Sequence, residues 1–193
     1  QYKRNEGFYR GGGITVTGGE PLLQVDFLIE LFKKAKAEGI HTCIDTSGIT
    51  YNPRNKESLD KLSRLMQFTD LVMLDIKHID TQKHKALTSA ANENILDFAK
   101  FLEEKNIPLW VRHIIVKGFT DNPDDLIKLG EFIGKLKNLK ALDVLPYHTM
   151  GVNKYKEMGI PYALDGVEAL TLSDAVKAKE YILEGVKNVR KKR

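Results

Sequence analysis

Cysteine is the scarcest chemistry in this chain: 193 residues carry one, Cys43. A lone thiol excludes an internal disulfide, a cysteine cage for zinc, and an iron–sulfur cluster held by these residues alone. Long apolar runs are missing too. None approaches the roughly 20 residues that span a bilayer, and no charged-then-apolar leader pattern opens the chain, so no membrane role is expected and a cytoplasmic location is. There is no zinc-finger spacing, no aromatic-rich RNA-binding strand and no basic helix with a dimerisation heptad, which argues against nucleic acid as a partner. The excess of positive charge is small, +4 at neutral pH, and much of it lies in Lys187 to Arg193, where a solvated helix end suited to the helix dipole is expected. The chain opens on Gln1 and not on methionine, as a processed chain or a piece of a longer one would.

What is present reads as one α/β domain over residues 1–193. Apolar, β-branched runs at Gly13 to Thr17, Ile40 to Asp45, Leu71 to Ile76, Leu109 to Val116 and Ala141 to Tyr147 predict strands. Helical periodicity falls between and after them, at Val25 to Glu38, Lys56 to Gln67, Asn92 to Lys105, Pro123 to Leu136 and Ser173 to Val189. In the first helix Phe27, Leu28, Leu31, Phe32 and Ala35 make one apolar face, and Gly39 follows where a C-terminal cap belongs. Asp121-Asn122-Pro123 resembles a capped start with proline in the first turn. Strand starts recur about every 30 residues with a helix between, the pattern of right-handed βα units on a parallel sheet. No GxGxxG opens the first helix, which argues against a dinucleotide fold. Five strands are too few for an eight-stranded barrel, which typically needs about 250 residues, so a partial (β/α) barrel is expected.

Parallel α/β folds bind ligands at the carboxyl ends of their strands, and every strand here stops on polar chemistry. The first runs Gly11 through Val16 into Thr17-Gly18-Gly19-Glu20-Pro21, where two glycines let a ligand approach the backbone and proline sets the exit. The second ends in Asp45-Thr46-Ser47-Gly48. Asp45 with Thr46 suits a hard cation, ribose hydroxyls, or simply a cap on the turn at Ser47-Gly48. The third ends in Asp75-Ile76-Lys77-His78, and Asp75 and Lys77, two apart, can offer an anion and a cation to one zwitterion or pair at the surface. On the fourth, Arg112 and His113 point to opposite faces. Arg112 is expected inward, toward a carboxylate or peptide backbone, with His113 against helices or solvent. The fifth ends in Pro146-Tyr147-His148, which suits a ligand contact at His148. His41, His78 and His84 have no comparable placement, and Cys43 reads as a small core residue.

Taken together, Thr17-Gly18-Gly19-Glu20-Pro21, Asp45-Thr46-Ser47-Gly48, Asp75-Ile76-Lys77, Val111-Arg112 and Leu145-Pro146-Tyr147-His148, in this order and spacing, resemble the radical S-adenosylmethionine superfamily. Within it the resemblance is to the glycyl radical activases of the pyruvate formate-lyase class, over nearly the whole chain. It implies a six-unit partial barrel in which a reduced [4Fe–4S] cluster, fed by a flavodoxin or ferredoxin-type donor, passes one electron to the sulfonium of S-adenosylmethionine. The resulting 5′-deoxyadenosyl radical takes a hydrogen from a backbone glycine of the partner, pyruvate formate-lyase. By this resemblance Gly18, Gly19 and Glu20 meet the methionine amino group, and Asp75, Ile76, Lys77 and His148 line the cofactor. Asp45, Thr46, Met73 and Asp75 match positions around a monovalent cation, and Arg112 faces the incoming glycyl loop.

The sequence departs from the family in one place. The CxxxCxxC loop that holds the cluster is absent, and with it the first β/α unit, so no catalytic residue is assigned here and the chain alone is expected to be inactive. Two other readings remain open: an activase for a different glycyl radical enzyme, and a cluster-free, non-catalytic protein that keeps a docking surface for a partner.

Overall fold

The five β-branched runs form strands: β1 (Gly13–Val16), β2 (His41–Thr46), β3 (Leu71–Asp75), β4 (Leu109–Ile115) and β5 (Leu139–Pro146). The computed structural model describes Arg4, Gly7 and residues 12–191; Gly11 of the glycine run and Lys192 and Arg193 of the basic tail lie outside the described residues. The strands make one sheet in chain order. β1 pairs with β2 and β2 with β3 in parallel, Val16 opposite Ile44 and Asp45 opposite Met73. The Val72 amide donates to the Pro108 carbonyl at 3.0 Å, and the Tyr147 amide to the Ile115 carbonyl at 2.9 Å. Parallel neighbours need a crossover, and helices supply it.

These helices are α1 (Val25–Ala37), α2 (Lys56–Met66), α3 (Thr81–Thr88), α4 (Glu93–Glu104), α5 (Pro123–Gly134), α6 (Val152–Glu157) and α7 (Leu172–Arg190). Side chains close the first turns of α2, α3, α5 and α7. Asn55, Asp80 and Asn122 accept from the amides of Ser58, Lys83 and Asp125, and Thr171 and Asp174 satisfy each other's amides in a capping box. Pro123 occupies the first turn of α5, and the Gly39 amide closes α1 on the Lys36 carbonyl, both as the sequence predicts. Two helices were not predicted. α3 carries no apolar stripe and starts because Asp80 caps it, and α6 is too short to show a period. In α1 the buried row is Leu28, Ile29, Phe32 and Ala35, while Phe27 of the predicted face is exposed. No described helix is long and apolar enough to cross a membrane.

The chain divides into two compact units, residues 1–75 with 94–110 and residues 76–93 with 111–193. In the first, Phe32, Ile44, Leu65, Leu74 and Phe98 are fully buried, each contributing on the order of 1.5–3 kcal/mol. Tyr51 adds a ring 5.4 Å from both Phe98 and Phe101. In the second, α5 and α7 meet backbone to backbone. A Cβ on Gly130 would lie 2.0 Å from the Ile182 carbonyl oxygen, and one on Gly185 2.0 Å from that of Ile127. Gly→Ala in an ordinary helix interior stabilises by about 1 kcal/mol. At Gly130 the sign should reverse: Gly130→Ala forces the helices apart and should destabilise by about 1–3 kcal/mol, read from the urea midpoint.

Candidate functional site

At the carboxyl end of β1 the chain turns through Gly18 and Gly19, with φ of 95° and 53°, in the left-handed region that favours glycine. A Cβ at either would stand in open space, so the turn presents bare backbone. Glu20 holds this turn. One carboxylate oxygen accepts from the Leu22 amide at 3.1 Å and the Thr46 hydroxyl at 2.5 Å; the other accepts from the Ser47 amide at 3.1 Å and the Ser47 hydroxyl at 2.6 Å. Four donors fill the lone-pair directions of a carboxylate. Glu20 thus ties the end of β1 to the end of β2 and caps the short 3-10 turn Pro21–Gln24. Its partners Thr46 and Ser47 were not foreseen in this role, since they lie 26 and 27 residues away with no local signal.

Asp45, Met73 and Asp75 come together on one face. Asp45 is opposite Met73 in the β2–β3 register, and Met73 and Asp75 alternate with the buried Leu74. The Asp45 carboxylate accepts from the Thr17 hydroxyl at 3.3 Å. The Thr46 side chain goes to the other face, where its oxygen also accepts the Gly48 amide at 2.9 Å, so Thr46 and not Asp45 caps that turn. Among the described residues no three histidine, cysteine or acidic side chains cluster as a metal site.

In the second unit Ile76 and His78 are buried and Lys77 between them is half-exposed. Lys77 lines a cavity of about 310 Å³ with Thr88, Ile114, Tyr147, Tyr155 and Tyr162. Tyr162 has its phenol pushed up to about 12, by burial first and then by the Tyr147 hydroxyl. His148 is exposed and lines a second cavity of about 540 Å³ that shares Ile114, Tyr147 and Tyr162 with the first. Arg112 and Ile114 lie on the less buried face of β4 and His113 on the opposite, buried face; alternation predicts that the two are opposed, and the structure decides which is buried. His113 Nδ1–H donates to the Ile76 carbonyl at 2.7 Å, and Nε2 is 3.5 Å from the Thr120 carbonyl.

His78, unassigned from sequence, accepts the Asp80 amide on Nδ1 at 2.9 Å and turns Nε2 toward buried Asp125 at 3.6 Å. The same Asp125 oxygen receives Lys83 at 2.5 Å. Burial is the main influence lowering the pKa of both His78 and His113, outweighing Asp125 at the first and the two carbonyls at the second.

The profile of the radical SAM superfamily matches residues 3–132. The chain belongs to this superfamily. A pyruvate formate-lyase-activating enzyme of Listeria monocytogenes is 57% identical over 159 residues, covering 82% of this chain and 64% of that protein. One from Staphylococcus aureus is 51% identical over 168 residues, 87% of this chain and 66% of that protein. The chain thus spans a little under two thirds of these relatives. A crystallised domain of a pyruvate-formate lyase-activating enzyme from Bacteroides vulgatus shares the fold at a TM-score of 0.69 with 24% identity, covering 90% of this chain and 94% of that one.

Radical SAM chemistry uses two groups, and the residues here fit one of them. Bare backbone at Gly18 and Gly19, with the Asp75 carboxylate in the same unit, is of a chemistry that suits the amino end of S-adenosylmethionine. The cluster finds no match: Cys43 is the single thiol, it is buried in β2, and burial pushes its pKa up, away from the thiolate that iron requires.

Glu20→Gln would set amide hydrogens against the Ser47 or Thr46 donors and should destabilise by about 2 kcal/mol in urea unfolding. For the histidines the folded pKa is lowered, so the unfolded chain binds more protons below about 6.5. Stability should be full above that pH and fall as pH drops below it, so the urea midpoint falls between about pH 7.5 and about 5.5. His113→Asn, which keeps a donor without the titration, should fall less.

Proposed function

We propose that these 193 residues form the cofactor-binding part of an activating enzyme that takes a hydrogen atom from a backbone glycine of pyruvate formate-lyase. The observation that carries this reading is the Gly18–Gly19 turn, held open by a Glu20 whose lone pairs are already filled. Backbone carbonyls of that turn, with Asp75 on the same unit, receive the methionine ammonium of S-adenosylmethionine. When bound, S-adenosylmethionine supplies the carbon radical that abstracts hydrogen.

In the second unit, and considered by itself, Lys77 is proposed as a contact for the cofactor's carboxylate, on the strength of its cation and of the cavity it lines. His148, which lines the second cavity, is proposed as a cofactor contact, and Ile76 as one through its neighbours, its own side chain being buried and its amide and carbonyl bonded to β4. Asp45, Thr46, Met73 and Asp75 are proposed around a monovalent cation, the Thr46 hydroxyl being engaged by Glu20. Arg112, on the same face of β4 as Ile114, is proposed to meet the substrate loop, since a guanidinium suits peptide carbonyls. The cluster thiolates come from outside these residues, and a flavodoxin or ferredoxin-type protein supplies the electron. The chain by itself then binds the cofactor without reducing it.

Calorimetric titration tests the reading. S-adenosylmethionine should bind the chain, and Lys77→Ala and Gly19→Val should each weaken it about tenfold or more. Unchanged affinity in both variants, with both folded by circular dichroism, would refute the assignment.

A further inference from the structure

Lys77 follows the end of β3, and the residue before it is pinned from both sides. The Ile76 amide donates to the Arg112 carbonyl at 3.1 Å, and the Ile76 carbonyl accepts His113 Nδ1–H at 2.7 Å. Ile76 is 1% exposed and His113 3%. The imidazole therefore lies on the buried side of the backbone, while Lys77 turns the other way and lines the 310 Å³ cavity. A buried neutral ring is costly unless it bonds, and the donor it supplies goes to the one carbonyl that sets the plane of the Ile76–Lys77 peptide. The far nitrogen, 3.5 Å from the Thr120 carbonyl, is too distant for a strong bond, so Nδ1–H is the functional contact.

We propose that His113 is a positioning residue: through the Ile76 carbonyl it fixes the peptide plane from which Lys77 reaches a ligand carboxylate. This rests on the reading of Lys77 as the contact for the methionine carboxylate. His113 itself touches no ligand.

The test compares S-adenosylmethionine with its decarboxylated analogue by calorimetry on the 193-residue chain. The native chain should prefer the carboxylated ligand, and Lys77→Ala should abolish the preference. His113→Leu should reduce the preference about tenfold with little change in affinity for the analogue, and His113→Asn, whose amide can stand where Nδ1–H stood, should restore it. A purely structural histidine would weaken both ligands together, and that result overturns the proposal. So does a preference that survives in His113→Leu, or one that Asn fails to restore. If His113→Leu does not fold, His113→Asn against His113→Gln, whose longer amide misplaces the donor, reads the same preference. No preference in the native chain, or one unchanged in Lys77→Ala, would instead remove the reading of Lys77 and this proposal with it.

Discussion

The Glu20 carboxylate, filled by two amides and two hydroxyls, closes the carboxyl end of β1 on that of β2. An anion with four donors is held far more firmly than a neutral turn, since hydrogen bonds to charge contribute roughly 1.5–3 kcal/mol each. That constraint is what lets Gly18 and Gly19 stay in a left-handed turn without packing against anything. The glycines supply freedom and Glu20 restricts it, leaving a stretch of backbone with no side chain over it. Pro21 and the 3-10 turn after it carry the chain directly into α1.

In the second unit a different kind of order supports the polar residues. Segment 76–93 is bound by side chains to its own backbone: Asn92 donates to the His78 and Ile79 carbonyls and accepts from Thr81, and His84 Nδ1 meets the Ala90 carbonyl. Asp125, in the first turn of α5, faces His78 and Lys83 of this segment. α5 in turn is seated on α7 through glycine contacts that admit no side chain. Beyond Lys77 the irregular backbone has its His78, Ile79 and Ala90 carbonyls met by side chains, as buried loops require.

The cavities at the ends of β4 and β5 illustrate how alternation becomes function. Arg112 and Ile114 share one face of β4, and His113 takes the other, because successive side chains on a strand point oppositely. Tyr147 is anchored by its amide to Ile115 and by its carbonyl to the Leu170 amide, so its ring is a rigid wall shared by both cavities. The Tyr162 phenol in the same wall, its pKa raised chiefly by burial, stays uncharged.

Much of this was present in residue order alone. Short apolar, β-branched runs and helical stripes located all five strands and the five longest helices, because both are local records of burial. Paired glycines, an acid and a proline marked the turn after β1, since few sequences tolerate left-handed backbone. The single cysteine excluded a cluster held by these residues. Strand alternation set His113 opposite Arg112 on β4. What tertiary structure alone decided was partnership across distance: that Glu20 is consumed by Thr46 and Ser47, that His78 looks at Asp125, and that His113 grips Ile76. Each joins residues between 26 and 47 positions apart, and nothing local records which donor a buried carbonyl or carboxylate will meet until the strands are in register.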